Sequence, residues 1–269
     1  MNAMRIHEAR RSGERGTPAL VVEPDGAGPY PCVVLLHERY GLVPHTEDLA
    51  RKIAAFGYVV IAPDLFYTHP DQAGLHAGTI TAKPPDAEVL ALLEDVVPLF
   101  AQASADPARL GMIGVCQTGR YPFVWGAAHP LRACIALYGA AQKRDWVVND
   151  HQPDGMEGLI AKLDADVLGI FGEKDHIISF DDVIVLRESL ERNNRSYDLS
   201  IYADVPHGWL NDTMPGRYRP QAAQRALGDI VAFLDASLAP AGAPSAVVRW
   251  NFNAVKSSSY NFTKNVRME

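Results

Sequence analysis

The sequence predicts an α/β fold, a mostly parallel sheet with helices on both faces, and three observations predict it. From about residue 31 onward, short apolar runs alternate with helical patterns, the order that a parallel sheet with crossover helices requires. The runs are closed by turn residues, as at Gly57 and at Pro63-Asp64, and one of them, Val59-Val60-Ile61, is strongly β-branched. A chain of 269 residues with 48% hydrophobic content can bury such a sheet on both faces within one large domain.

Taken in order, residues 31–36 read as a buried strand and 46–56 as an amphipathic helix that Gly57 ends. Residues 58–62 form a second strand. The stretch 68–86 lacks periodicity and carries Gly and Pro, so it reads as a long loop able to border a pocket. A helix over 87–102 follows, with a kink expected at Pro98. Strands are predicted at 110–115, 133–138, 166–171 and 198–202. Helices are predicted at 117–128, where Pro122 weakens the pattern, and at 181–191 and 221–238.

After Leu238 the composition changes to A-P-A-G-A-P-S-A, a linker, and then to V-V-R-W-N-F-N-A-V, which partly alternates like a strand. The expected organisation is therefore one α/β domain over 1–238 and an extension over 239–269. That extension would be an arm packing on the domain or on a second copy in a homodimer, or else a loosely ordered tail.

Charge narrows the partners. With 25 Lys and Arg against 32 Asp and Glu, the net charge of −7 argues against nucleic acid or an anionic membrane. Three cysteines with no C-x-x-C pair make a disulfide framework or a metal site a poor expectation. The N-terminus lacks the apolar core of a secretory signal, and no stretch reaches membrane-spanning length, so a cytoplasmic location is expected.

Four segments could carry chemistry. In Gly111-Met112-Ile113-Gly114-Val115-Cys116-Gln117-Thr118-Gly119, a cysteine stands between an apolar strand and a helix. A sharp turn there would lift the thiol out of the sheet and place it at a helix N-terminus, where its pKa falls. Pro206-His207-Gly208-Trp209 follows the strand at 198–202, and Phe171-Gly172-Glu173-Lys174-Asp175 closes the strand at 166–171. Asp175 would orient His207, with Glu173, Asp181 and Asp182 as competitors. Leu35-Leu36-His37-Glu38-Arg39-Tyr40-Gly41 follows the first buried strand and would supply one oxyanion-binding N–H, with that of Gln117 as the other. Each segment alone also fits a bland reading: a buried cysteine, an exposed loop histidine, or two solvated turns. Their order along the chain is what argues for a site.

Together, L-L-H-E-R-Y-G-L, G-Y-V-V-I-A-P-D-L-F, G-V-C-Q-T-G, G-E-K-D and P-H-G-W resemble the dienelactone hydrolase family, cysteine enzymes of the α/β-hydrolase fold, over residues 31–237. The resemblance implies an α/β-hydrolase fold and cleavage of an ester or lactone without metal or cofactor. It implies Cys116 as nucleophile, His207 as base, Asp175 as orienting acid, and Glu38 as a carboxylate that contacts the thiol. Arg39 and Gln117 would be the backbone oxyanion donors.

Two positions depart from the family pattern. Thr118 replaces the first glycine after the elbow in G-x-C-x-G-G. Asn211 stands four residues after the histidine, where members acting on dienelactone carry an arginine for the substrate carboxylate. Arg120, Lys83 and Arg217 are candidates to hold that carboxylate instead, and Tyr40 and Trp209 are further candidates for substrate contact. A general carboxylesterase or thioesterase, and a non-catalytic binding protein of the same fold, are the alternative readings.

Overall fold

Alternation along the central strands sends Val34 to one face of the sheet and Val33 and Leu35 to the other, and both faces are covered. The structure is a computed structural model that describes residues 4–12, 14–240 and 249–252. Its strands are β1 (Met4–Ser12), β2 (Thr17–Pro24), β3 (Tyr30–Leu35), β4 (Val59–Pro63), β5 (Ala105–Val115), β6 (Ala133–Leu137), β7 (Asp166–Gly172), β8 (Tyr197–Tyr202) and β9 (Arg249–Phe252). They form one sheet in the order β1-β2-β4-β3-β5-β6-β7-β8-β9. The β1–β2 and β2–β4 pairs are antiparallel, and every pair from β4 to β9 is parallel. This is the α/β-hydrolase fold.

The helices are α1 (Pro44–Ala54), α2 (Gln72–Ala77), α3 (Asp86–Gln102), α4 (Tyr121–Ala128), α5 (Met156–Lys162), α6 (Phe180–Arg192) and α7 (Pro220–Ser237). One face of the sheet packs against α3 to α6 through residues such as Leu93, Phe123, Leu159 and Leu186. The other packs against α1 and α7 through Leu49, Ile53, Ile230 and Leu234. The parallel strands therefore all release their C-terminal ends at one edge, where ligands bind in open α/β sheets.

The expected elements are present with boundaries shifted by a few residues, and four differences stand out. The hairpin β1–β2 has no counterpart among the expected elements. Within the expected loop 68–86, α2 forms because the Asp71 carboxylate accepts from the Gly74 N–H at 2.7 Å and Gly78, at φ 69°, ends it. The expected helix 117–128 divides into a 3-10 turn at Cys116–Arg120 followed by α4, which places Pro122 in a first turn where no N–H is needed. The short helix α5 and a 3-10 turn at Lys143–Trp146 are likewise additional to the expected elements. Most of the expected arm at 239–269 lies outside the described residues; its segment Arg249–Phe252 is β9, paired with β8. Among the described residues, no helix is long and apolar enough to cross a membrane.

Candidate active site

Cys116 sits directly after β5 with φ 56°, a left-handed conformation that costs a non-glycine residue free energy. The surrounding backbone leaves no room for side chains. A Cβ on Gly119 would lie 2.6 Å from Gly139 Cα, and one on Gly139 would lie 2.5 Å from the Cys116 carbonyl oxygen. The glycines thus let β5 turn sharply against the segment after β6, and the thiol is raised at the sheet edge, half-buried. Cys32 and Cys134 lie inside strands with no exposed surface, and burial pushes both thiols well above their ordinary range.

His207 reaches this thiol from the loop after β8. Its Nε2 lies 3.1 Å from Cys116 Sγ, and its Nδ1 lies 2.8 Å from Asp175 Oδ2. Asp175 is 1% exposed, and its other oxygen accepts the N–H groups of Ile177 at 2.7 Å and Ile178 at 3.0 Å, so the carboxylate is held in one orientation. Burial alone would lower the proton affinity of His207, but the Asp175 carboxylate and the Cys116 sulfur outweigh it and raise the ring well above the usual histidine range. Two of the competing acids are occupied elsewhere: Glu173 accepts from the Asp204 N–H, and Asp182 caps α6 by accepting from Ser179.

A cysteine, a histidine and an aspartate at the ends of β5, β8 and β7, in hydrogen-bonding sequence on an elbow of this kind, form a nucleophilic triad. The family model described as the dienelactone hydrolase family matches residues 17–238. The chain belongs to the dienelactone hydrolase family. It is 31% identical over 216 residues to a candidate carboxymethylenebutenolidase of Salmonella typhimurium, an alignment that covers 76% of this chain and 77% of that one. It is 25% identical over 220 residues to a probable 2-oxo-3-(5-oxofuran-2-ylidene)propanoate lactonase of a Bradyrhizobium species, covering 80% and 88%. Among solved structures, a candidate dienelactone hydrolase from Klebsiella pneumoniae superposes with a TM-score of 0.74 at 28% identity, over 87% of this chain and 98% of that one. As in this family, the chain is a hydrolase built on a Cys-His-Asp triad.

The remaining expected site residues of this dienelactone hydrolase relative divide into two groups. Glu38 is 4% exposed beside the triad, with its carboxylate hydrogen-bonded on both oxygens. One oxygen accepts from the Tyr138 hydroxyl at 3.2 Å and the other from Asn211 Nδ2 at 2.6 Å. The Tyr138 ring meets His207 edge-on, with centroids 5.1 Å apart. Tyr40 is half-buried close to Glu38, Arg39, Arg217 and Cys116, and burial and the Glu38 charge raise its hydroxyl against the two arginines. Gln117 follows the nucleophile, with its side-chain amide donating to the Ala82 carbonyl.

Two expected substrate contacts are committed to partners within the protein, and for Trp209 the expectation is corrected. Arg120, although it borders the cavity beside Gln117, is 3% exposed, forms a two-pronged ion pair with Asp86, and donates to the carbonyls of Asp145 and Asp154. Trp209 is fully buried against Tyr202 and Tyr138, at centroid distances of 4.8 and 6.5 Å, and has no surface to offer a substrate. Position along the chain puts both near the nucleophile and the histidine, but does not say which way they point. A cavity of about 350 Å³ opens beside Gln117, lined by Lys83, Tyr121, Arg144, Val147 and His151 among others. The segment 68–86 does border it, through Lys83 and Pro84.

Proposed function

We propose that this protein hydrolyses esters or enol lactones by thioester formation on Cys116. The observation that carries the reading is the 3.1 Å contact between His207 Nε2 and a thiol held at positive φ. The Cys116 thiolate attacks the carbonyl carbon, and the backbone N–H groups of Arg39 and Gln117 receive the developing oxyanion. As the carbon–oxygen bond breaks, the His207 imidazolium gives its proton to the departing oxygen. Water then attacks the thioester with His207 taking a proton from it, the carbon–sulfur bond breaks, and the thiolate is regenerated. A thiolate suits activated acyl groups such as enol lactones, whose leaving group departs without full protonation.

Tyr40, half-buried in the loop after β3, is proposed to touch the substrate, and Glu38 to contact the thiol and help activate it. An acidic acyl group would find Lys83 and Arg144 in the cavity beside Gln117. Asn211, bound to Glu38 where dienelactone-cleaving relatives carry an arginine, favours the second reading, a carboxylesterase or thioesterase acting on neutral substrates. We also propose that the catalytic unit ends near Leu238, that residues 239–269 serve as an arm supporting a homodimer, and that a reactive thiol of this kind works in the reducing cytoplasm.

Hydrolysis of p-nitrophenyl acetate and of a dienelactone, by wild type and by Cys116→Ala at matched folding, tests the proposal. Turnover that disappears in the variant supports it, and equal turnover by both proteins refutes it. The ratio of the two activities decides between the acidic and the neutral substrate class.

A further inference from the structure

Two successive carbonyls of the loop after β3 are each gripped by a buried side chain. The Thr118 hydroxyl, with no exposed surface, accepts from the Val115 N–H at 3.0 Å. Its single proton faces the His37 carbonyl at 2.8 Å and the Val115 carbonyl at 3.0 Å, the His37 carbonyl being the nearer. The nucleophile turn is thereby tied to a loop 81 positions earlier in the chain.

The His37 imidazole, also with no exposed surface, grips the next carbonyl. Its Nε2 lies 3.0 Å from the Leu65 N–H, which can only donate, so Nε2 accepts and the ring proton resides on Nδ1. That Nδ1–H donates to the Glu38 carbonyl at 2.6 Å. The Phe66 ring meets the imidazole edge-on at 4.6 Å and fixes its plane. Burial lowers the proton affinity of His37, in keeping with a neutral ring.

The Glu38 carbonyl and the Arg39 N–H belong to one planar trans peptide, in which C=O and N–H point in opposite directions. Holding the carbonyl therefore aims the N–H. Among the described residues, no backbone acceptor takes the Arg39 N–H.

We propose that Thr118 and His37 are positioning residues that together set the Glu38–Arg39 peptide, and so the oxyanion-binding N–H, relative to the nucleophile. The inference rests on the reading above that Arg39 supplies an oxyanion donor. The threonine that stands where the family has glycine thus locks the elbow and the oxyanion loop to each other.

The test compares Thr118→Val, of similar size but without the hydroxyl, with Thr118→Ser, which keeps it, and with His37→Gln, which can accept from Leu65 but lacks the ring donor. For p-nitrophenyl acetate, kcat falls about 10- to 100-fold in Thr118→Val and His37→Gln, less than the loss of an entire oxyanion donor. KM stays within about 3-fold, and Thr118→Ser stays near wild type. Alkylation of Cys116 by iodoacetamide forms no oxyanion, so its rate stays at the wild-type value throughout. Amide hydrogen exchange over residues 37–40 reads the clamp without turnover, and is faster in Thr118→Val than in Thr118→Ser.

Wild-type kcat in Thr118→Val, exchange equal in the two Thr118 variants, or alkylation falling in step with kcat would each overturn the proposal. Should Thr118→Val fail to fold, His37→Gln and Thr118→Ser carry the same comparison. Hydrolysis that persists in Cys116→Ala sinks the cysteine mechanism instead, a result separable from failure of the clamp alone.

Discussion

Asn211 Nδ2 donates to Glu38 Oε2 at 2.6 Å, joining the loop after the catalytic histidine to the loop after β3. Asn211 is 1% exposed, and its own side-chain oxygen accepts from the Thr213 N–H and hydroxyl. Replacing it with alanine strips a donor from a buried carboxylate, a loss of about 1–3 kcal/mol. Asn211→Asp sets two carboxylates against each other and destabilises more. Urea midpoints at neutral pH give the ranking; an aspartate variant as stable as wild type would contradict it.

The Asp175 carboxylate raises the proton affinity of the His207 ring, so the imidazolium persists to higher pH than in an ordinary histidine. The alkaline limb of kcat/KM, where the ring loses the proton it must give the leaving group, accordingly lies above the usual histidine range. Asp175→Asn withdraws the largest stabilising charge, so that limb moves to lower pH. It also lowers kcat, on the order of 10³–10⁴-fold, as loss of the orienting acid does in serine triads. A pH–rate series on both proteins checks the direction, and an upward shift would be the wrong sign.

Iodoacetamide near neutral pH modifies Cys116 and spares Cys32 and Cys134, because the latter two are buried and their thiols are raised. Peptide mapping by mass spectrometry finds one labelled site in the folded protein and three in denaturant. Labelling of Cys32 or Cys134 at the rate of Cys116 would show that their strands open.

Arg120→Ala leaves Asp86 charged, buried and without its ion pair, which costs about 3–5 kcal/mol. The main effect is on folding: the variant protein that does fold keeps a KM close to wild type, since the guanidinium is already held by Asp86 and two backbone carbonyls. Thermal denaturation with steady-state kinetics separates the two. A raised KM at unchanged stability would restore the binding role suggested by the sequence.

The central strands are legible in the sequence because they are buried on both faces and read as unbroken apolar runs, as in Val59–Pro63 and Ala133–Leu137. The hairpin strand β1 is not, because its sequence M-R-I-H-E-A-R-R-S is rich in charge, as suits an edge strand. Helix α5 has only seven residues, too few for a helical period to declare itself. The triad can be read because each member follows a recognisable strand. The partners of Glu38 and the bond from Thr118 to His37 cannot, since they join residues 81 to 173 positions apart through orientation alone. The same blindness to direction makes Trp209 resemble a substrate contact until its buried side chain is seen.

Cys116 and His207 are separated by 91 positions, and Asp175 and His207 by 32. They come together only through parallel pairings of β5 with β6, β6 with β7, and β7 with β8, each of which must close a long crossover before it gains any contact. No local piece of the chain can therefore hold even a crude version of this site. Hydrolysis serves as a clock on refolding: after dilution from denaturant, helical signal returns early and ester turnover returns last, when the final strand has found its register.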